Sequence, residues 1–157
     1  MNALSVGDDA PPFSLTDQSG KVVSLSGLLE KGPVVLFFYP KDETAVCTRE
    51  ACAFRDDYSG FAELGAQLFG ISRDSDASHQ SFRKNHALPY SLLSDPKGEV
   101  ARRYGVSAAF GLLPGRATFV VDQGGKICLS YAASLRASAH VEQALSAVRG
   151  LAISDGQ

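Results

Sequence analysis

The chain has 157 residues, of which 45% are hydrophobic and 20% charged, with a formal net charge of −2; this suits a single domain, here residues 1–157, because domains commonly run about 100–150 residues. The longest apolar run, Val34 to Tyr39, is far short of the roughly 20 residues of a membrane-spanning helix, and the basic residues are scattered along the chain, which argues against a nucleic-acid partner. The first ten residues carry Asp8 and Asp9 and no Lys or Arg, unlike a signal peptide, so a cytoplasmic protein is expected.

Turn signals alternate with apolar runs throughout. Phe13–Thr16 and Lys21–Leu25 read as an N-terminal β-hairpin closed by the polar turn at Asp17–Gly20. Val34–Tyr39 is continuously apolar, as in a central strand covered on both faces, and Pro40 ends it. Over residues 45–64, Cys47, Ala51, Phe54, Tyr58 and Phe61 recur at three-and-four spacing and predict one amphipathic helix. A strand over Gln67–Ser72, a helix over Ser75–His86, a strand over Ser91–Leu93 and a helix over Lys97–Tyr104 follow. Ala117–Asp122, a turn at Gln123–Gly125, Lys126–Tyr131 and a helix over Ser138–Val148 close the chain. This order predicts an α/β sandwich with a mixed central sheet flanked by helices.

Three cysteines are too odd a count for a disulfide framework and point to reactive thiols, metal ligands or ordinary buried residues. Cys47 falls in the first turn of a predicted helix, where unpaired N–H groups and the positive end of the macrodipole favour an anion. A thiolate there is nucleophilic and oxidisable; a small buried residue at the end of an apolar stripe is the alternative. Cys52 lies five residues on, which in a continuous helix means roughly 8–9 Å and about 140° of rotation between Cα atoms. A disulfide needs Cα atoms within about 7 Å, so the two can pair only if the helix unwinds; otherwise Cys52 is a helix-surface residue. Cys128, in a predicted strand, reads as a packing residue.

Pro40, Thr44 and Cys47 form a PxxxTxxC motif, and the surrounding FFYPKDETAVCTREACAFRDDY resembles the peroxiredoxins of the Q, or bacterioferritin-comigratory-protein, subfamily. The likeness extends to VGDDAPPFSL, ISRDS, LLSDPKGEVARRYGV and RATFVVDQGGKI; Ala45-Val46 stands where relatives commonly have Pro-Gly. The resemblance implies a thioredoxin-like fold and a thiol peroxidase acting on hydrogen peroxide and small organic hydroperoxides, in antioxidant defence and without a metal, haem or selenium cofactor. Cys47 would be the peroxidatic cysteine, and Cys52 the resolving cysteine that closes an intramolecular disulfide. Thioredoxin or a similar dithiol would reopen that bond. Thr44 would place its hydroxyl near the sulfur or cap the helix. Pro40 would shape the pocket or simply make the turn, and Arg116 would lower the thiol pKa and hold the peroxide oxygens. Asp42 and Glu43 would oppose that effect and are expected to face solvent.

A disulfide reductase of this fold would need CxxC spacing, which is absent here, and His79, His86 and His140 lack zinc spacing; each is expected as an exposed helix residue. A redox sensor that uses the same Cys47 without turnover is the remaining competitor. Peroxiredoxins that overoxidise easily carry a GGLG loop and a C-terminal arm with a YF motif; Phe110-Gly111-Leu112-Leu113 and the Ala152–Gln157 end differ from both, so resistance to sulfinic acid formation is expected. Nothing in the sequence forces a dimer, and a monomer is expected.

Overall fold

The computed structural model describes residues 4–106, 108–109, 113–133 and 136–155. In chain order the elements are β1 (Ser14–Asp17), β2 (Val22–Ser24), α1 (Leu25–Leu29), β3 (Val34–Phe38), α2 (Ala45–Asp56), α3 (Tyr58–Glu63), β4 (Gln67–Ser72) and α4 (Asp76–Asn85). They continue with β5 (Ser91–Ser94), α5 (Glu99–Arg103), β6 (Ala108–Ala109), β7 (Leu113–Pro114), β8 (Ala117–Val121), β9 (Ile127–Ala132) and α6 (Ala137–Asp155). The main sheet runs β2-β1-β5-β4-β3-β8-β9. Strands β3, β4 and β5 are parallel, and the β1–β2, β1–β5, β3–β8 and β8–β9 pairs are antiparallel. This is the mixed sheet, with its N-terminal hairpin, that the sequence predicts. Strands β6 and β7 form a separate two-stranded ribbon.

The continuous apolar run of β3 is explained by its position: every residue of the strand is buried. Alternate side chains go to opposite faces of a strand. Val35 and Phe37 enter one core with Ala51, Phe54, Phe61, Phe82, Val141 and Val148, from α2, α3, α4 and α6. Val34, Leu36 and Phe38 enter the other with Leu25, Leu28, Val100 and Ala101, from α1 and α5. Gly70 in β4 belongs to the first face, where a Cβ would stand 2.8 Å from the Phe37 ring and 2.9 Å from Leu92. The missing side chain is what lets the Phe37 ring stack on Phe54 at 4.5 Å.

Local chemistry sets the helix starts. The Ser24 hydroxyl accepts from Gly27 N at 3.2 Å and the Ser75 hydroxyl from Ser78 N at 3.1 Å, so Ser24 and Ser75 are N-caps. The first of these corrects the prediction that the second strand runs to Leu25: capped by Ser24, the chain turns into α1 there. A second correction concerns the helix predicted over 45–64, which breaks at Asp57 (φ −104°, ψ 10°) into α2 and α3. Both pieces keep the apolar stripe, since Phe54 and Phe61 are fully buried, but the break re-aims the second. Helix α6 extends well beyond Val148, to Asp155. The Phe110–Leu112 and Gly156–Gln157 stretches in the overoxidation comparison lie outside the described residues.

Candidate active site

Thr44 adopts an extended conformation (φ −81°, ψ 156°) at the N-cap of α2, and its carbonyl accepts from Thr48 N at 2.8 Å. Its hydroxyl does not cap the helix; it donates to the Lys41 carbonyl at 2.8 Å and is exposed. Pro40, half-buried, follows the end of β3 and starts the loop that leads there. Cys47 lies in the first turn of α2, 1% exposed, packed in the same core as Phe37, Tyr39, Ala51 and Phe54.

The antiparallel β3–β8 register pairs Phe38 with Ala117, so Arg116, one residue earlier, arrives at the end of β3 from which the chain passes to α2. Strand alternation places Arg116 on the same face as Thr118 and Val120. Its Nη2 donates to Cys47 Sγ at 3.2 Å and its Nη1 to Glu50 Oε1 at 2.8 Å. Burial works to lower the Arg116 pKa, but the Glu50 carboxylate and the Cys47 sulfur hold it above the ordinary value. Glu50 is fully buried, and burial raises its pKa to about 7 against the opposing pull of Arg116. Its second oxygen, Oε2, has no hydrogen-bond partner and lies 3.6 Å from His140 Nδ1. His140 Nδ1 also meets Thr118 Oγ1 at 2.8 Å, while Nε2 donates to the Ala133 carbonyl at 2.8 Å. Burial lowers the His140 pKa.

The loop before Cys47 departs from expectation. Asp42 does not face solvent: it is 5% exposed, and its carboxylate accepts from Tyr39 Oη at 2.6 Å, from Ser78 Oγ at 2.8 Å and from His79 Nδ1 at 2.7 Å. His79 is fully buried, not exposed, and its Nε2 meets the Leu93 carbonyl at 3.1 Å. Both ring nitrogens thus have an oxygen within hydrogen-bonding distance. The Asp42 backbone N–H donates to Asp74 at 2.9 Å, as does Ser72 Oγ at 2.6 Å. Asp42, Asp74 and His79 therefore form a hydrogen-bonded anchor for the loop. Glu43 is exposed as expected, but it pairs with His86 Nε2 at 2.7 Å and Asn85 Nδ2 at 2.8 Å. The same residue holds a left-handed φ of 63°. Both acids before Cys47 are thus matched by imidazoles from α4 or its end. His86 is half-buried and His140 fully buried, which also corrects the expectation for them.

The AhpC/TSA family profile matches residues 6–130. The chain is 47% identical to the chloroplastic peroxiredoxin Q of Sedum lineare over 149 residues, covering 94% of this chain and 80% of that protein. The chain belongs to the AhpC/TSA family, as a peroxiredoxin of the Q type. Peroxidoxin BcpB of Mycobacterium tuberculosis superimposes with a TM-score of 0.88 at 40% identity, covering 94% of this chain and 98% of that one. Xanthomonas campestris peroxiredoxin Q does so with 0.82 at 26% identity, covering 89% and 91%. The fold is accordingly the thioredoxin-like fold of the peroxiredoxins, and the reaction class is thiol-dependent peroxide reduction.

In this peroxiredoxin Cys52 sits on the same unbroken helix as Cys47, and both thiols are free. Cys52 is half-buried and borders an open groove of about 910 Å³ between α2 and the start of α6, lined also by Arg49, Asp56, Arg136 and Glu142. Cys128 in β9 donates through Sγ to the Val120 carbonyl at 3.4 Å, and burial pushes its pKa up to about 11. That environment suits a packing thiol.

The site residues that sequence reasoning missed are Glu50 and His140. Glu50 had a legible signal: it sits at the third position after Cys47 and immediately before Ala51, so it falls on the apolar stripe that should exclude a carboxylate. His140 gave no such signal, because its partners come from β8 and α2.

Proposed function

We propose that this peroxiredoxin reduces hydrogen peroxide and small organic hydroperoxides through Cys47, is resolved by Cys52, and is recycled by thioredoxin or a similar dithiol. The observation that carries the reading is the Arg116 guanidinium 3.2 Å from Cys47 Sγ at the start of α2. The Cys47 thiolate attacks the terminal peroxide oxygen; an S–O bond forms and the O–O bond breaks. The leaving oxygen takes a proton to become water or an alcohol, and Cys47 becomes a sulfenic acid. Arg116 holds the negative charge as it moves from sulfur to the leaving oxygen. Pro40 ends β3 without offering an N–H, and Thr44, three residues before Cys47, supplies a hydroxyl for the peroxide.

The Cys52 thiol then condenses with the sulfenic acid, forming the S–S bond and releasing water. In the reduced state the two sulfurs are on one continuous helix, so α2 must unwind locally before they can meet. Helix termini are the low-stability part of a fold. The groove beside Cys52 gives the reductant access to the disulfide for thiol–disulfide exchange. Three free thiols suit a reducing compartment such as the cytoplasm, and a monomer suffices for every step.

The test is intact mass after one equivalent of hydrogen peroxide, with peptide mapping. Trypsin cuts after Lys41, Arg49 and Arg55, so Cys47 and Cys52 fall on separate peptides, 42–49 and 50–55. Loss of two hydrogens and a link between these peptides is expected, with a trappable sulfenic acid in Cys52→Ser. Turnover retained by Cys47→Ser, or a Cys47–Cys128 link in the wild type, would overturn the assignment.

A further inference from the structure

We propose that Glu50 and His140 hold one shared proton, and that its presence decides how much of the Arg116 charge is left for the Cys47 sulfur. The proposal rests on the reading of Cys47 as the nucleophile. Its basis is a count of hydrogens. His140 Nε2 faces the Ala133 carbonyl and must carry a proton there. That leaves Nδ1 turned toward Thr118 Oγ1 at 2.8 Å and Glu50 Oε2 at 3.6 Å. Glu50 Oε2 is buried and unpartnered. A single further proton satisfies both atoms, either as Oε2–H directed at Nδ1 or as Nδ1–H directed at Oε2. The Thr118 hydroxyl can rotate to donate or to accept, so it accommodates both arrangements. An unpartnered carboxylate oxygen in a buried site is otherwise costly.

Among the described residues, few groups face Glu50. Cys47 shares its helix, Arg116 comes from the start of β8 and His140 from α6. Tyr90, preceding β5, feels the Glu50 charge, but its hydroxyl is committed to the Ala51 carbonyl at 2.7 Å. Tyr131 of β9 packs edge-on against the His140 ring at 4.8 Å. Arg116 is therefore the cation that bonds Glu50 and Cys47 alike. With the proton in place, the Glu50–His140 pair is neutral as a whole, and Glu50 no longer competes with the Cys47 thiolate for Arg116. With the proton gone, two anions compete for one guanidinium. The two sites then titrate as a coupled set, and the burial that raises the Glu50 pKa to about 7 places the ionisation of that carboxyl near neutral pH.

Two substitutions should move Cys47 in opposite directions. Glu50→Gln is nearly isosteric and removes the competing anion. His140→Asn removes the base that shares the proton, so Glu50 ionises at lower pH and competes over a wider range. The assay is the iodoacetamide alkylation rate of the full-length protein between pH 5 and 9, read on tryptic peptide 42–49. The wild type should show two inflections. Glu50→Gln should show one, with reactivity within about twofold of wild type at pH 6, where the pair already holds its proton, and up to about tenfold higher at pH 8, and His140→Asn should be about three- to tenfold less reactive at pH 6, as for a change of up to one unit in a neighbouring charge's effect. Damage to packing alone would move both variants the same way; that result, or no movement in either, overturns the coupling. If Glu50→Gln fails to fold, the direction of His140→Asn decides: lower reactivity supports the proposal, and unchanged or higher reactivity overturns it. A wild-type Cys47 that stays unreactive up to pH 9 would overturn the coupling together with the nucleophile reading beneath it.

Discussion

Replacing Arg116 with methionine keeps an apolar stem of similar reach and deletes the charge that bonds both Cys47 and Glu50. At the observed 3.2 Å the Coulomb attraction between unit charges has a ceiling of ~5 kcal/mol at an effective dielectric of about 20. Neighbouring opposite charges in proteins commonly deliver about one to three pK units, which is a 10- to 1000-fold loss of thiolate wherever the thiol is mainly protonated. The second-order rate with hydrogen peroxide, followed by stopped flow at pH 6, should fall by a factor in that range. Stability should suffer unevenly. Removing one partner of a buried ion pair typically costs about 3–5 kcal/mol, but Glu50, raised to about 7 by burial, can take up a proton instead. Urea unfolding should therefore show a small loss at pH 6 and a larger one at pH 8. A peroxide rate within twofold of wild type would refute the role of Arg116 at the sulfur. Equal losses at the two pH values would refute the account of Glu50.

Because the folded-state pKa of Glu50 lies above its ordinary value of 4.5, at about 7, this group stabilises the fold at low pH, and that stability is lost as pH rises between those values. The span is ~3 kcal/mol; comparing unfolding free energies at pH 5 and 8 for wild type and Glu50→Gln isolates it, and an unchanged difference in the variant would assign the slope elsewhere. Gly70→Ala should destabilise by about 1–3 kcal/mol through overpacking, since its Cβ would fall 2.8 Å from the Phe37 ring; a thermal melt unchanged from wild type contradicts this. His79→Leu strips the Asp42 carboxylate of its buried hydrogen-bond partner at 2.7 Å and should cost about 1–3 kcal/mol, with peroxidase activity falling as the loop before Cys47 loosens; a loss below ~0.5 kcal/mol in denaturant would show that the anchor holds without it. Cys128→Ala should leave peroxide turnover within about twofold of wild type, because a thiol raised to about 11 stays protonated and unreactive at neutral pH; a larger fall would give Cys128 a part in the cycle.

The fold was legible wherever one periodicity governed a segment. Strand β4 coincides with its prediction, and α4 lies between Ser75 and His86, its N-cap and C-cap. The errors come from signals carried by single residues or by distant ones. Ser24 alone starts α1, and the Asp57 dihedrals alone divide α2 from α3, whose apolar positions stay in step across the break. The polar errors share another cause: Asp42 and His79 are 37 residues apart and Glu50 and Arg116 are 66 apart, so their burial depends on strand pairings and helix packing that no local pattern encodes. The motif and the resemblance nonetheless point to Cys47 and Arg116, whose side chains approach to 3.2 Å. The geometry added the carboxylate that shares the guanidinium.

The partition of β3 has a practical corollary. Phe37 and Phe38 are joined by a single peptide bond, yet Phe37 packs against Phe54 of α2 and Phe38 against Tyr104 and Phe119 on the far side. All the chemistry described above sits on the Phe37 side. The α1/α5 layer can thus serve as a ballast layer: repacking around Phe38 changes the melting temperature while leaving Cys47 and its partners in register, whereas the same volume change at Phe37 alters both. A paired substitution across one peptide bond separates tolerance to heat from competence toward peroxide.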